Sequence, residues 1–329
     1  MRKLKSPKAV VLCILGLIYL IAFPLYFRDS NYVLNVVITS SILGCISMGV
    51  WLLFAMGRIN IGQAAFVLIG GYTTAILSTK VGVSFWICLP LSGIAAGLVG
   101  FLIGIPILRL KGVYFDMLTL VIGGTANLAM LNLEKLTNGA RGIINIPLPS
   151  ALSVAGITLI PAFQAGNYLY FYYLSAFVLL VTLAGVWRLY TCRIGWIFQA
   201  LRQSDTLAQS SGINIAKYRL IAYTIGCFLG GIGGSLFTAH IQCIYPASFK
   251  IIDSIYYMLY CFLGGLDYLL GPIVGAFLLT SSFEGLRVIQ KYQEGIYACL
   301  MIAFMLWLPN GILSLRAKIK SHPSAGNRG

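Results

Sequence analysis

The chain has 329 residues, 59% of them hydrophobic and 9% charged, with 23 basic against 8 acidic residues and a formal net charge of +15. Soluble domains carry about a quarter charged residues, so this composition excludes a water-soluble fold and makes lipid the solvent for most of the surface. No polar domain with interleaved aromatics accompanies the basic excess, which excludes nucleic acid as a partner; bases clustered at the ends of apolar runs are instead the mark of cytoplasmic loops in membrane proteins.

A spanning helix needs about 20 apolar residues. Such runs are predicted, in chain order, at 9–27, 33–56, 61–79, 85–108, 113–132, 168–187 and 219–241. Shorter ones follow at 252–264, 271–286 and 294–309. The first follows Arg2, Lys3, Lys5 and Lys8 but is long for a signal sequence and has no small-residue cleavage pattern; it reads as a retained span. The expected fold is therefore all-α, a polytopic transmembrane helix bundle of about ten segments, or eight if 252–286 is a re-entrant pair. With the N-terminus inside and strict alternation, sixteen bases fall inside and seven outside, which places both termini in the cytoplasm. The whole of 1–329 reads as one transmembrane domain. Residues 133–167 then form an external loop, broken by Gly139, Gly142, Pro147, Pro149, Pro161 and Gly166, and 188–218 a cytoplasmic one.

Small residues recur at helix-packing spacing. Gly93, Gly97, Gly100 and Gly104 share one face of the fourth span, and Gly226, Gly230 and Gly234 one face of the seventh. In lipid, close backbone approach at such residues holds helices together. The eight cysteines form no C-x-x-C pair, and the two histidines have no partner at ligand spacing, so neither a metal site nor a disulfide framework is expected. Phosphate-binding loops, H-E-x-x-H and the G-x-S-x-G elbow are all absent from the sequence. No cofactor and no catalytic residue is assigned. The polar mid-membrane candidates for a translocation pathway are Gln63, Thr125 and Asn127, with helix packing as the alternative role.

The inside loop is the most informative polar stretch. Between Arg193 and Asn214, Ile197, Leu201 and Ala208 fall on one helical stripe, and Arg202, Asp205 and Gln209 on another. Gly212 is positioned to end the helix in the left-handed conformation that favours glycine. A short amphipathic helix lying on the membrane suits a docking element for a cytoplasmic partner; an interfacial helix with no partner has the same pattern.

The loop resembles the coupling segment of the branched-chain amino acid permease family (LivH/LivM type) of bacterial ATP-binding-cassette importers. Ala200-Leu201-Arg202, Asp205, Ala208 and Gly212-Ile213-Asn214 match the family pattern, whereas Gln203, Ser204, Gln209 and Ser210 depart from it. Five further stretches agree in order. They are Gly62-Gln63-Ala64-Ala65-Phe66 with Gly70-Gly71-Tyr72-Thr73, in which Gln63 replaces the usual histidine; Leu108-Arg109-Leu110-Lys111-Gly112-Val113-Tyr114; Thr137-Asn138-Gly139-Ala140-Arg141-Gly142-Ile143; Gly264-Gly265-Leu266 with Gly271-Pro272; and Leu308-Pro309-Asn310-Gly311-Ile312. The likeness covers residues 40 to 315.

The resemblance implies a permease subunit that hydrolyses nothing itself and forms half of a transmembrane pathway for amino acids, with branched-chain ones first in line. Urea or short amides are the alternative cargo, and an ion-coupled carrier working without an ATPase is the alternative class. The implied partners are two cytoplasmic ATPase subunits, a second related permease, an external substrate-binding protein and membrane lipid. The implied location is the bacterial cytoplasmic membrane. Leu201, Arg202, Asp205, Ala208 and Gly212 would carry the coupling to the ATPase.

Overall fold

The computed structural model describes Tyr19 and residues 30–110, 112–154, 157–160, 163, 167–287, 292–307 and 311–314. The span expected at 9–27, apart from Tyr19, and both termini lie outside the described residues.

Among the described residues the helices of six residues or more are α1 (Asn31–Phe54), α2 (Gln63–Thr79), α3 (Phe85–Ile107), α4 (Val113–Asn132), α5 (Tyr168–Thr191), α6 (Arg193–Gln203), α7 (Asp205–Ser210), α8 (Ile215–Ile241), α9 (Ile251–Gly264), α10 (Gly271–Gly285) and α11 (Gln293–Trp307). Local signals set their ends. Gly57, at φ +74°, follows α1, and Gly112, at φ +60°, precedes α4. Asn214 starts α8 four residues before the apolar run does, its side chain accepting from the Lys217 N–H at 3.1 Å.

Five described helices, α1, α3, α4, α5 and α8, are long and apolar enough to cross a membrane. Helix α2 has 17 residues, α9 has 14, and α10 and α11 have 15 each. At 1.5 Å per residue, α9 and α10 each reach about 22 Å against a hydrocarbon core of about 30 Å. The chain is thus a multi-pass membrane protein, with five spans evident among the described residues where ten segments were expected.

Helix α8 is the hub, packing on α1, α2 and α3, while α1 also packs on α5, α9 and α10. The bundle's largest fully buried side chains include Trp51, Phe66, Tyr72, Phe115, Tyr172 and Tyr223. The two glycine faces predicted from spacing do not meet each other. A Cβ at Gly93, Gly97, Gly100 or Gly104 of α3 would touch Phe228, Cys227, Leu220 or Tyr223 of α8. One at Gly226, Gly230 or Gly234 would instead touch Gly49 of α1, or Gln63 and Val67 of α2. Gly231 meets Ser92, Gly93 and Ala96, so α8 approaches α3 on one side and α1 with α2 on the other.

The all-helical expectation holds for the bundle, and the strands among the described residues are short and lie outside it. Four short strands occur: β1 (Ile143–Ile144), β2 (Leu152–Val154), β3 (Ile157–Ile160) and β4 (Cys243–Ile244). The β2–β3 pair is a local hairpin, whereas β1 pairs antiparallel with β4, Ile143 opposite Ile244. That pairing ties the 133–167 segment to the exit of α8, and left-handed Asn138 and Asn145 supply its sharp bends.

The loops gather at two ends of the bundle. Lys80 donates to the Lys135 and Leu136 carbonyls, and the Trp86 indole to the Ser150 carbonyl, gathering one set of loops at one end. At the other, Gly57 lies against Arg202. There the Trp51 indole donates to the Leu266 carbonyl at 2.9 Å, so the α9–α10 turn reaches the end that carries the 188–218 loop.

Candidate functional site

Between α1 and α2 the chain does not stay at the surface. Residues Asn60 and Gln63 are fully buried, as are Thr119 of α4 and Ser254 of α9. The start of α2 therefore sits inside the bundle, where its first backbone N–H groups need partners. They find side chains. The Ile61 N–H donates to Thr119 Oγ1 at 3.2 Å, Gly62 N–H to Asn60 Oδ1 at 3.0 Å, and Ala64 N–H to Ser254 Oγ at 2.8 Å. Asn60 Nδ2 donates to Gln63 Oε1 at 3.0 Å, and Gln63 Nε2 to the Gly226 carbonyl at 2.9 Å. A Cβ at Gly62 would overlap the Thr119 carbonyl, so glycine is what lets this turn enter. Four elements, α2, α4, α8 and α9, converge on one polar node.

Directly beside it lies an ionic cluster. Asp205, the first residue of α7, receives both hydrogen bonds of a 2.6 Å contact from Arg219 Nη2, and Arg58 Nη2 stands 3.9 Å from the same carboxylate. The two arginine side chains are 6% and 9% exposed, that of Asp205 35%. Arg58 also lies 5.9 Å over the Phe115 ring, while the Ile59 backbone N–H reaches the Asp116 carboxylate. Burial pulls the Arg58 guanidinium below the ordinary arginine value, and Arg219 pulls it further, against the opposing pull of Asp205 and Asp116. A second bridge at the same end joins Arg202 Nη2 to Asp267 Oδ1 at 2.7 Å, and both partners are open to solvent, so it is weak by comparison.

The 193–214 segment is two helices, not the single one expected. Ser204 is extended and caps α7, its hydroxyl accepting from the Leu207 N–H. The competition between a serine cap and helix continuation goes to the cap because Ser204 precedes an aspartate, which also favours a helix start. Leu201 and Ala208 are buried, Arg202 is exposed, and Gly212 takes φ +80° where the chain turns into α8. Trp196 and Leu207 point outward, 70% and 69% exposed.

The three pathway candidates are not brought together. Gln63 belongs to the buried node. Asn127 Nδ2 donates to the Pro246 and Phe249 carbonyls ahead of α9. Thr125 bonds to its own helix and faces away from the bundle. Sequence reasoning passed over Asn60, Thr119, Ser254, Arg58, Arg219 and Asp267 as site residues. The two arginines were visible only as members of a charge count, and the node's one readable signal is the Asn60-x-Gly62 turn at the head of an apolar run.

A family model described as the branched-chain amino acid transport system / permease component matches residues 32–305. The "High-affinity branched-chain amino acid transport system permease protein LivM" of Salmonella typhimurium is 32% identical over 289 residues, covering 83% of this chain and 68% of the relative. The protein of the same name from Escherichia coli gives the same figures. A "Probable branched-chain amino acid transport permease protein LivH" of Methanocaldococcus jannaschii is 24% identical over 316 residues, covering 84% and 90% of the two chains. No solved structure matches the chain.

Proposed function

Because this chain belongs to the branched-chain amino acid transport system permease family, we propose that it is the permease subunit of an ATP-binding-cassette importer for branched-chain amino acids. It forms half of the transmembrane pathway, and a second related permease supplies the other half. Two ATPase subunits dock on the 188–218 loop from the cytoplasm, and an external binding protein delivers substrate to the opposite end. The membrane is the bacterial cytoplasmic membrane.

One observation carries this reading beyond the family itself. The 193–214 segment stands at the end of the bundle with Trp196 and Leu207 bare, yet its polar residues Arg202 and Asp205 reach back to α8 and to the α1–α2 and α9–α10 connections. An element that presents apolar side chains outward while tied to several helices suits transmission of a partner's movement. Leu201, Ala208 and Gly212 shape the segment. For the pathway, Gln63, Thr125 and Asn127 remain the positions to substitute. Thr125 is exposed on α4, the least buried of the five spans, which is where a second permease would complete a channel.

The test is reconstitution in proteoliposomes with both ATPases, the second permease and the binding protein. ATP-dependent leucine, isoleucine or valine uptake that is lost on omitting the ATPases is expected. Uptake by the permeases alone would identify an ion-coupled carrier instead, and uptake of urea or short amides in preference to leucine would reassign the cargo.

A further inference from the structure

Two buried cations from separate elements face one carboxylate, and that carboxylate comes from the proposed docking loop. Arg219 belongs to the first turns of α8, and Arg58 lies two residues before Asn60 and five before Gln63, on the strand of chain that enters the polar node. Asp205 turns inward to both. The residues of α7 that turn outward are Thr206, Leu207, Gln209 and Ser210. The Asp205–Arg219 contact uses a single guanidinium nitrogen, and Arg219 Nε is buried with no partner. A side-on contact through Nε and Nη would satisfy both nitrogens, so the present contact leaves part of the guanidinium's pairing capacity unused.

We propose that Asp205 is a positioning residue, an internal latch that passes displacement of the docking loop to Arg219 of α8 and, through Arg58, to the Asn60–Gln63 entry of α2. It is not a contact to the ATPase. This rests on the docking reading above, and it divides one helical turn into two jobs: Leu207 meets the partner and Asp205 holds the bundle.

The experiment compares Asp205→Asn, Asp205→Glu, the exchanged pair Asp205→Arg/Arg219→Asp and Leu207→Glu in the complete transporter. Three quantities are read: permease level in the membrane, ATPase co-purified per permease, and ATP-driven leucine uptake. Asp205→Asn is expected to keep co-purification within about twofold of the parent while uptake falls at least tenfold, and Asp205→Glu to recover part of that uptake. Leu207→Glu is expected to lower co-purification itself. The latch is overturned if Asp205→Asn transports normally, or if it loses the ATPase as Leu207→Glu does. Should Asp205→Asn fail to accumulate, the exchanged pair decides. Accumulation with measurable uptake supports the latch; absence from the membrane, or accumulation without uptake, overturns it in favour of a purely structural pair. A parent complex that binds no ATPase would sink the docking reading, a result distinct from every variant outcome above.

Discussion

The most apolar 18-residue stretches of α1 and α3 have the same mean hydropathy, 2.1, within helices of 24 and 23 residues, yet 83% of the first stretch and 39% of the second is buried. The difference lies in where the small residues fall. In α1, Ser40, Ser41, Gly44, Cys45, Ser47 and Gly49 are spread around the helix, and all are buried. The three serine hydroxyls donate to carbonyls one turn back in their own helix, so each donor is satisfied within α1, and Ser41 bonds the Tyr19 hydroxyl as well. In α3 the glycines line one face, and Ile87, Ile94, Leu98, Phe101, Leu102 and Ile105 stand exposed on the others. Small residues all round mark a helix enclosed by others. A single small-residue face opposite large apolar side chains marks one that packs on one side only. Mean hydropathy measures neither.

The most damaging way to test this contrast is to fill a contact between backbones. A Cβ at Gly234 of α8 would overlap the Val67 carbonyl of α2, and a backbone cannot swing aside as a side chain can. Gly234→Val should cost more than about 4 kcal/mol and remove folded protein from the membrane, as read by detergent size-exclusion chromatography. Next comes the polar node. Gln63→Leu leaves the Gly226 carbonyl and the Asn60 amide without their partners, at about 1–3 kcal/mol, and should lower the thermal midpoint in detergent without abolishing insertion. An unchanged midpoint would mean that water replaces the amide there. A smaller effect, about 1 kcal/mol, is expected for Ser204→Ala, visible as faster proteolysis between α6 and α7. Smallest of all, Leu98→Ala and Thr125→Val should change stability by less than about 0.5 kcal/mol, since both side chains are exposed. A large loss at Leu98 would break the contrast, by showing that the open face of α3 is covered in the assembly.

Much of the bundle was legible because hydropathy and length are local properties. The runs expected at 85–108 and 113–132 match α3 and α4 to within a residue. The glycine spacing also announced that α3 and α8 have close-approach faces, but spacing carries no information about which face meets which helix. The break at Ser204 was hidden by the stripe of Ile197, Leu201 and Ala208, whose spacing continues a helix straight through the cap. Pairing across sequence was hidden more completely. Asp205 and Arg219 are fourteen residues apart with a glycine turn between them, Arg202 and Asp267 are on different connections, and Ile143 meets Ile244 only because α8 returns to the same end. None of these partners is set by a period of 2 or 3.6 residues.

The break at Ser204 has a mechanical consequence. A continuous rod from Arg193 to Ser210 would deliver one displacement to everything attached to it. A rod with a joint has two outputs. The arm of α6 is tied at Arg202 to the α9–α10 turn, and the arm of α7 is tied at Asp205 to α8 and the α2 entry. Both arms also touch α8 and the α1–α2 connection, so on the docking reading proposed above a push at Trp196 and a push at Leu207 share that ground and differ at the α9–α10 turn, which the α6 arm holds.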